Sequence, residues 1–139
     1  MAPRQLSDDV YRRLLAFRTE LRRFSHWSEE QAQAVGLTPA QHQLLLAVRG
    51  HTDRRGPTVG DVAHVLLLRH HSAVGLVDRA AEAGLVRRVR DPDDHRVVRL
   101  HLTAAGGAKL ARLSQLHLEE LARLQKGALA DVVGAGEHA

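Results

Sequence analysis

Apolar residues between positions 72 and 102 change their spacing, and each spacing predicts a different element. From 72 to 83 they recur at intervals of three and four and form one stripe on a helix: Ala73, Leu76, Val77 and Ala80. Gly84 follows at the position where helices often end in a left-handed residue. Residues 86–90 and 96–102 are then predicted as strands, the second with an alternating apolar face: Val98, Leu100 and Leu102. The pattern therefore predicts a helix followed by a β-hairpin.

Long apolar stripes also mark both ends of the chain. The first helix is predicted to be capped by Ser7 or Asp8 and to end before Gly36, with apolar steps of four and three: Val10, Leu14, Phe17, Leu21 and Phe24. The last is capped by Thr103, runs from 104 to about 125 and carries an apolar face: Leu110, Leu113, Leu116, Leu121 and Leu124. One small domain cannot cover both faces, so we expect a two-fold dimer in which these helices interlock.

Two threonines are predicted to begin the short helices in between. Thr38-Pro39-Ala40-Gln41 combines an N-cap, a proline at the first helical position and a glutamine three residues after the cap, which predicts a helix over 41–48. Thr58 and Asp61 have the same spacing at the start of the next helix, whose stripe is Val59, Val62, Ala63 and Leu66. This helix and the one over 72–83 are predicted to form a helix-turn-helix, with 72–83 as the recognition helix.

The predicted hairpin is strongly basic. The run Asp91-Pro92-Asp93-Asp94-His95 favours a turn between the strands, which carry five arginines on or beside them: Arg87, Arg88, Arg90, Arg96 and Arg99. A helix fits the major groove of duplex DNA, and the arginines of an adjacent ribbon can reach phosphates or the minor groove. The alternative is a solvated hairpin whose arginines serve only solubility.

These features together resemble the winged helix-turn-helix of MarR-type bacterial transcription regulators. The matching motifs are Leu76-Val77-Asp78-Arg79, Gly84-Leu85-Val86, Arg88, Asp91-Pro92-Asp93-Asp94-His95-Arg96 and Leu102-Thr103-Ala104-Ala105-Gly106. The combination of D-x-R at the wing tip with LTxxG after the wing is fairly specific, and the resemblance extends over roughly residues 8–127. It implies a single domain, mainly α with a small antiparallel β-wing, in which 1–36 and 104–139 are dimerisation helices and 37–103 is the winged helix-turn-helix.

The resemblance also implies a function and a set of wing residues. It implies a ligand-responsive repressor that binds a pseudo-palindromic operator as a homodimer, with half-sites about one helical turn apart. Arg96 is expected to reach the minor groove or the backbone, and Asp94 to orient it or the hairpin; a purely structural pair is the alternative. Further phosphate contacts are expected from Arg88, Arg90 and Arg99, each of which has a solvated charge as its alternative.

On the predicted recognition helix, several residues point away from the apolar stripe. The expected groove face consists of Ser72, Val74, Gly75 and Asp78, with Arg69, His70 and His71 at or before its start. Many family members carry a long polar residue where this chain has Gly75, so close backbone approach and a Val74 contact with a thymine methyl are expected instead. An internal brace formed by Asp78-Arg79 is the alternative for that aspartate.

The family usually releases DNA when a small molecule binds between the dimer helices and the winged region. Phe24, Trp27 and His42 are the candidate pocket residues, with core or interface packing as the alternative for Trp27. Ten histidines raise the question of metal, but there is no cysteine and no HxxxH pair, and His117 with Glu120 is weak evidence. We therefore expect no metal site and no cofactor, and a metal-responsive regulator stays an alternative.

Composition narrows the class of protein further. A length of 139 residues favours one domain, and a net charge of +4 permits an acidic partner such as nucleic acid. The absence of cysteine excludes disulfides and thiolate metal sites. No apolar run approaches the length of a membrane span, and residues 1–9 contain no apolar core of a signal peptide, so a cytoplasmic protein is expected.

Sequence patterns give no support to catalysis. The chain has no phosphate-binding glycine loop, no G-x-S-x-G and no H-E-x-x-H, so an enzyme is not expected. The rival from another class is a winged-helix protein–protein module that grips an acidic partner with its hairpin. Sequence-preferring, salt-dependent binding to duplex DNA discriminates against that rival.

Overall fold

The computed structural model describes residues 2–125, which form five helices and a β-hairpin. Their order is α1 (Asp8–Ala34), α2 (Pro39–Arg49), α3 (Val59–Leu66), α4 (His70–Glu82), β1 (Val86–Arg90), β2 (Val98–Leu102) and α5 (Ala104–Gln125). The mainly α fold with a small antiparallel wing is thereby confirmed. The part of the predicted dimerisation region that covers 126–139 lies outside the described residues. Within residues 2–125, no helix is both long enough and apolar enough to cross a bilayer.

The described chain forms two compact units. One combines α1 up to Glu30 with α5 from Gln115, and the other is Gln31–Ser114. The second unit has a continuous aliphatic core, whose fully buried members include Leu44, Leu45, Val62, Val77, Leu100 and Leu113. The predicted stripe of α4 is buried in full, since Ala73, Leu76, Val77 and Ala80 all lie in or against this core.

Both predicted capping boxes are present. The Thr38 hydroxyl oxygen accepts from the backbone N–H of Gln41 at 3.1 Å, and the Gln41 side chain accepts from the Thr38 N–H at 3.0 Å. Thr58 and Asp61 make the same reciprocal pair at 3.1 and 3.0 Å. Each cap satisfies N–H groups that a helix start leaves open, and a cap of this kind contributes about 1 kcal/mol. The starts of α2 and α3 are therefore fixed locally.

The helix predicted to be the recognition helix, α4, begins earlier than expected, at His70 rather than residue 72. The cause is a compact turn: Leu67 adopts a left-handed conformation with φ of 56°, and the N–H of Leu68 donates to the carbonyl of Ala63 at 2.9 Å. This bond closes α3 in the manner of a helix C-cap, so that only residues 67–69 separate the two helices. Arg69 occupies the N-cap position, and Ser72 lies inside the helix.

The second strand starts later than predicted, at Val98 rather than residue 96. The carbonyl of Asp94 accepts from the N–H of Val97 at 3.0 Å, so residues 94–97 turn instead of pairing. In the antiparallel ladder Arg87 faces His101, and Arg88 faces Leu100. On the other edge of β2, the N–H of Leu100 donates to the carbonyl of Pro57 at 2.8 Å. This bond ties the wing to the segment that precedes α3.

The outer helices leave apolar side chains uncovered. Leu14 and Leu21 of the predicted α1 seam are exposed, as are Leu118 and Leu121 on α5, whereas Leu110, Leu113 and Leu124 are buried. Exposed leucines at helical spacing agree with the expectation of a second copy, although a single chain does not test it. The first helix ends as predicted, because Gly36 has a φ of 80° two residues after Ala34.

Two adjacent glycines of α5 provide a matched test of the packing between this helix and the wing. A Cβ on Gly106 would lie 2.1 Å from the carbonyl oxygen of Leu85, whereas one on Gly107 would meet nothing within 4 Å. We expect Gly106→Ala to lower the free energy of unfolding and Gly107→Ala to leave it unchanged or raise it by up to about 1 kcal/mol, because alanine favours helix. Denaturant unfolding at one protein concentration measures both, and equal effects of the two substitutions would contradict this packing.

Candidate nucleic-acid interface

The solvent face of α4 contains the residues predicted to enter a groove. Arg69, His70, His71, Ser72 and Asp78 are exposed, and Val74 and Gly75 are half-buried. They lie opposite the buried stripe, because residues one or two positions from a buried helical residue project to another side. The structure therefore brings these seven predicted residues together on one accessible surface, which we call the α4 face.

Arg79 joins the α4 face, although the sequence analysis assigned it only as an internal brace. A Cβ placed on Gly75 would lie 3.2 Å from an Nη atom of Arg79, so the guanidinium lies beside that glycine. Residues four apart share a helix face, and this i, i+4 spacing was the signal available in the sequence. The Arg79 side chain, from the next turn of α4, thus lies where a long polar side chain at position 75 would lie.

An ion pair connects α4 to the wing. An Nη atom of Arg88 on β1 donates to a carboxylate oxygen of Asp78. The brace proposed for Asp78 exists, but its partner is Arg88 and not Arg79. Both residues were also predicted to contact DNA, and that role stays a prediction. What the structure adds is that their charges partly compensate each other in the free protein.

The tip of the wing holds Arg96 in an exposed but ordered position. Its backbone N–H and its Nε donate to one oxygen of Asp94, both at 3.1 Å, and an Nη atom donates to the other oxygen at 3.2 Å. The bonds from the Arg96 guanidinium lower the pKa of Asp94 most, and the bond from the Arg96 backbone N–H lowers it further. The Arg96 side chain is nevertheless 91% exposed. This geometry supports the prediction that Asp94 orients Arg96 toward a partner outside the chain.

Where β1 passes into the turn of the wing, Asp91 forms a buried junction that the sequence pattern did not predict. One carboxylate oxygen accepts from the backbone N–H groups of Asp93 and Asp94 at 2.8 and 3.3 Å. The other accepts from Nε of Arg99 at 3.1 Å and lies 3.6 Å from an Nη atom of Arg55. Asp91 is only 2% exposed. The sequence signal was its position before proline in a turn, and its distant arginine partners left no local pattern.

This junction changes the interpretation of Arg99, which was predicted to contact phosphate. Its guanidinium also donates to the carbonyl of Gly56 at 3.3 Å, and its side chain is only 15% exposed. Arg99 thus links β2 to the turn of the wing and to the segment before α3. A phosphate contact by Arg99 stays a prediction, but the geometry favours a positioning role.

Three further arginines, at the start of α4 and on the wing, have open guanidinium groups. Among residues 2–125, no hydrogen bond or ion pair engages the guanidinium groups of Arg69, Arg87 or Arg90, and all three side chains are exposed. Arg69 and Arg90 were predicted as DNA contacts, whereas Arg87 was not assigned. An arginine without an internal partner keeps its fork available for a phosphate or a carboxylate.

The candidate effector residues are divided between the two units. Phe24 and Trp27 lie in the first unit, with ring centroids 5.9 Å apart, and His42 lies buried on α2 in the second. The structure adds His117, whose ring centroid is 4.8 Å from that of Trp27 and 5.8 Å from that of Phe24. Clefts of about 460 and 360 Å³ flank Trp27, the second also lined by Phe24.

His117 and Glu120, considered earlier as a weak metal pair, have other partners. Nε2 of His117 lies 2.6 Å from the hydroxyl oxygen of Ser28, and Glu120 accepts from an Nη atom of Arg123 at 2.6 Å. Within the described part of the chain, no three His, Asp or Glu side chains are grouped closely enough to hold a metal ion. The expectation of no metal site stays a prediction.

Comparison with known proteins connects this geometry to a family. Residues 35–97 match the model described as "MarR family". An uncharacterized HTH-type transcriptional regulator, YsmB of Bacillus subtilis (strain 168), is 41% identical over 49 residues. That match spans 35% of this chain and only about a third of the relative, 34% of its length.

Solved structures share the fold over most of the chain. The MarR family transcription regulator SP03579 has a TM-score of 0.77 at 21% identity, covering 94% of this chain and 85% of that one. The S. aureus MepR–DNA complex has a TM-score of 0.69 at 18% identity, covering 81% and 79%. Identities this low establish a common fold and nothing finer.

The Asp91 junction predicts an acid-sensitive wing. The backbone N–H of Asp93 and, to a lesser extent, the side chain of Arg99 donate to the Asp91 carboxylate. These bonds hold the pKa of Asp91 below its value of about 3.9 in an unfolded chain. Its stabilising contribution is therefore present above that pH and is lost as the pH falls through the lower folded pKa. We expect the Arg99 Nε–H to be protected from exchange at pH 5 and this protection to be lost on acidification. In Asp91→Asn that protection should already be weak at neutral pH.

Asp93→Asn is the matched control for this measurement, because Asp93 is an exposed neighbour in the same turn. NMR exchange rates of the arginine Nε–H, combined with unfolding free energies between pH 7 and pH 2, separate the variants. Asp91→Asn should show the smaller dependence of stability on pH. Equal pH dependence and equal Arg99 protection in both variants would show that the junction does not hold the wing.

Proposed function

We propose that this chain is a MarR-type regulator of transcription, cytoplasmic and non-enzymatic, that binds duplex DNA in a sequence-specific manner. The observation that carries the proposal is the pairing of the α4 face with an exposed, oriented Arg96 on the adjacent wing. The DNA complex of MepR, which shares this fold, supports the use of such a surface for DNA.

The α4 face has the dimensions and chemistry of a groove-reading helix. An α-helix is roughly 10–12 Å wide, close to the width of the major groove of B-DNA, about 12 Å. His70 and His71 lie at the N-terminal end of α4, where donors and the helix dipole favour an anionic phosphate. Val74 offers an apolar contact to thymine methyl groups, and Arg79 beside Gly75 offers a fork suited to guanine.

The wing supplies contacts that do not come from the helix. Arg96 projects from the turn, and the pairing with Asp94 limits the conformations that its side chain must lose on binding. A guanidinium held in this way suits the narrow, negatively charged minor groove beside the site of α4. Arg90 and Arg69, with no partners among residues 2–125, add phosphate contacts whose strength falls with salt.

We propose further that the regulator is a homodimer. The exposed leucines of α1 and α5 form apolar surface that a second copy would cover, and a closed pair has two-fold symmetry. Such a dimer presents two α4 faces to a pseudo-palindrome with half-sites about one helical turn apart. Light scattering at micromolar concentration tests this assembly, and a monomeric mass would contradict it.

Repression and ligand response form the finer part of the proposal. Trp27 lines both clefts and Phe24 lines one of them, and the His117 ring packs against both rings, which suits a small planar molecule. A ligand there releases DNA only if it binds the DNA-incompetent arrangement of the dimer more tightly than the competent one. His42 belongs to the other unit, and its part in such a site stays a prediction.

The DNA proposal predicts the behaviour of Arg96→Ala. We expect this variant to bind a duplex from the gene's upstream region about 5- to 150-fold more weakly, because removal of a good arginine contact costs roughly 1–3 kcal/mol. Its free energy of unfolding should be unchanged, since the side chain is exposed. Fluorescence anisotropy with the upstream duplex and a scrambled duplex at two salt concentrations measures affinity and specificity together.

Arg112→Ala is the control, because Arg112 is an exposed arginine on α5 outside the predicted interface. It removes the same charge and should change affinity little. An equal loss of DNA affinity in both variants would show that Arg96 acts only through the net charge of the protein. No binding of the wild type at low salt would contradict the DNA proposal and favour the protein–protein module.

The effector proposal predicts a change in the emission of Trp27, which is the single tryptophan of the chain. Titration with a panel of small aromatic acids should give saturable quenching, and the same ligand should release operator DNA. Substituting His117→Ala should weaken the ligand while leaving DNA affinity in its absence unchanged. A panel that neither changes Trp27 emission nor releases DNA would remove the support for an effector site here.

A further inference from the structure

A separate cleft lies in the second unit, on a part of the wing that the proposed DNA contacts do not use. Its volume is about 420 Å³, within the range of about 300–1,000 Å³ of small-molecule sites. The lining comes from the end of α2, the segment 51–56, both strands and the first turns of α5. Val48 and Leu100, both buried, are part of its wall. The cleft is concave and is formed by one chain alone.

The charge on this lining is predominantly positive. Arg49, Arg54 and Arg87 contribute guanidinium groups from three separate segments, and none of them is engaged by a hydrogen bond or ion pair within the described residues. Two imidazoles, His51 and His101, also line the cleft. Three open guanidinium groups around one concave space repel one another and favour an anionic occupant.

The single carboxylate on the lining is already neutralised from outside it. Asp53 accepts from Nε and an Nη atom of Arg55 at 3.2 and 2.8 Å, and from the Arg55 backbone N–H at 2.9 Å. Arg55 is not part of the cleft wall. The negative charge of Asp53 is therefore paired, and the three lining arginines keep their charge uncompensated.

Gly107 is a second, independent observation. It lines the cleft from within α5, and a Cβ placed on it would meet nothing within 4 Å. Packing therefore does not require glycine at this position, and glycine in a helix interior costs about 1 kcal/mol relative to alanine. A larger side chain at position 107 would begin to fill the cleft. A glycine that packing does not require thus leaves the cleft open.

We propose that this cleft binds a small organic polyanion, a molecule with two or more carboxylate or phosphate groups. Arginine forks bind such groups by paired, charge-assisted hydrogen bonds, and more than one group is needed to neutralise three guanidinium ions from different segments. The cleft includes residues of β1 and β2, so its occupant also contacts the base of the wing. This site does not depend on the proposed DNA function.

The test uses the full chain without DNA and follows the backbone amide signals of Gly56 and Gly107 by NMR. The probes are citrate and inorganic phosphate, titrated at constant ionic strength against sodium chloride. We expect saturable shifts at both glycines, with citrate binding more tightly than phosphate. The double variant Arg54→Gln/Arg87→Gln should weaken citrate by about tenfold or more, since two charge-assisted contacts are lost.

Two further variants make the result specific. Gly107→Met places a side chain in the cleft without changing charge and should abolish the citrate shifts, while Arg112→Gln removes a cation elsewhere and should preserve them. Should Gly107→Met not fold, Gly107→Ala gives a smaller loss of affinity in the same direction.

Three results would overturn the proposal. They are shifts that follow ionic strength without saturation, shifts that are unchanged in the arginine double variant, and no shift with either anion. A fourth arm adds a scrambled DNA duplex instead of the anions. Shifts at Gly56 and Gly107 with the duplex alone would assign these arginines to DNA phosphates and also contradict a small-molecule site. Loss of operator binding has no bearing on these outcomes, so this proposal and the DNA function fail separately.

Discussion

The wing of this protein depends on one buried carboxylate. Asp91 lies where β1 ends, and it is bonded to the backbone of the turn, to Arg99 on β2 and, by charge, to Arg55 before α3. A buried carboxylate without partners would be strongly unfavourable, so the three segments are constrained to meet at this point. Because Arg99 also bonds to the carbonyl of Gly56, the hairpin and the segment before the helix-turn-helix are joined as one body.

The position of the exposed Arg96 follows from this junction. The Asp91 carboxylate fixes the first part of the turn, and the Asp91 N–H closes the loop by donating to the carbonyl of Val97 at 2.9 Å. Asp94 then accepts from the backbone N–H and the guanidinium of Arg96. A second link, Asp78 with Arg88, connects α4 to the same hairpin. The α4 face and the wing are therefore held at a defined relative position before any partner binds, which reduces the entropy lost on binding.

Local signals in the sequence predicted much of this arrangement. The Thr38 and Thr58 boxes, the buried stripe of α4 and the left-handed Gly84 each depend on residues within four positions, so pattern alone identified them. The predicted starts of α4 and β2 were wrong by two residues each, because the left-handed Leu67 shortens one turn and the Asp94 carbonyl extends another.

The contacts of Arg99 and His117 that sequence reasoning missed join residues far apart in the chain. Arg99 meets Asp91 eight residues away and Gly56 forty-three residues away, and His117 meets Ser28 across eighty-nine. No periodicity encodes contacts of this length. For the same reason Arg99 was grouped with the surface arginines of the wing, although it is mostly buried. The candidate interface was predicted as a list of residues with one pair, Asp94 and Arg96, whereas the ion pairs of Asp78 with Arg88 and of Asp91 with Arg99 came only from the fold.

The central claim is that α4 and the wing contact duplex DNA together, and cleavage from a tethered iron chelate tests it most directly. The chain contains no cysteine, so Ser72→Cys, His95→Cys and a control Ala111→Cys on α5 each give a single attachment site. With the upstream duplex, the chelate on residue 72 should cut the two strands with the offset typical of a major-groove position. The chelate on residue 95 should cut at sites centred on the flanking minor groove. Both patterns should repeat with two-fold symmetry, about one helical turn apart. Cleavage no stronger than that from residue 111, or the same uniform pattern from all three, would contradict the account.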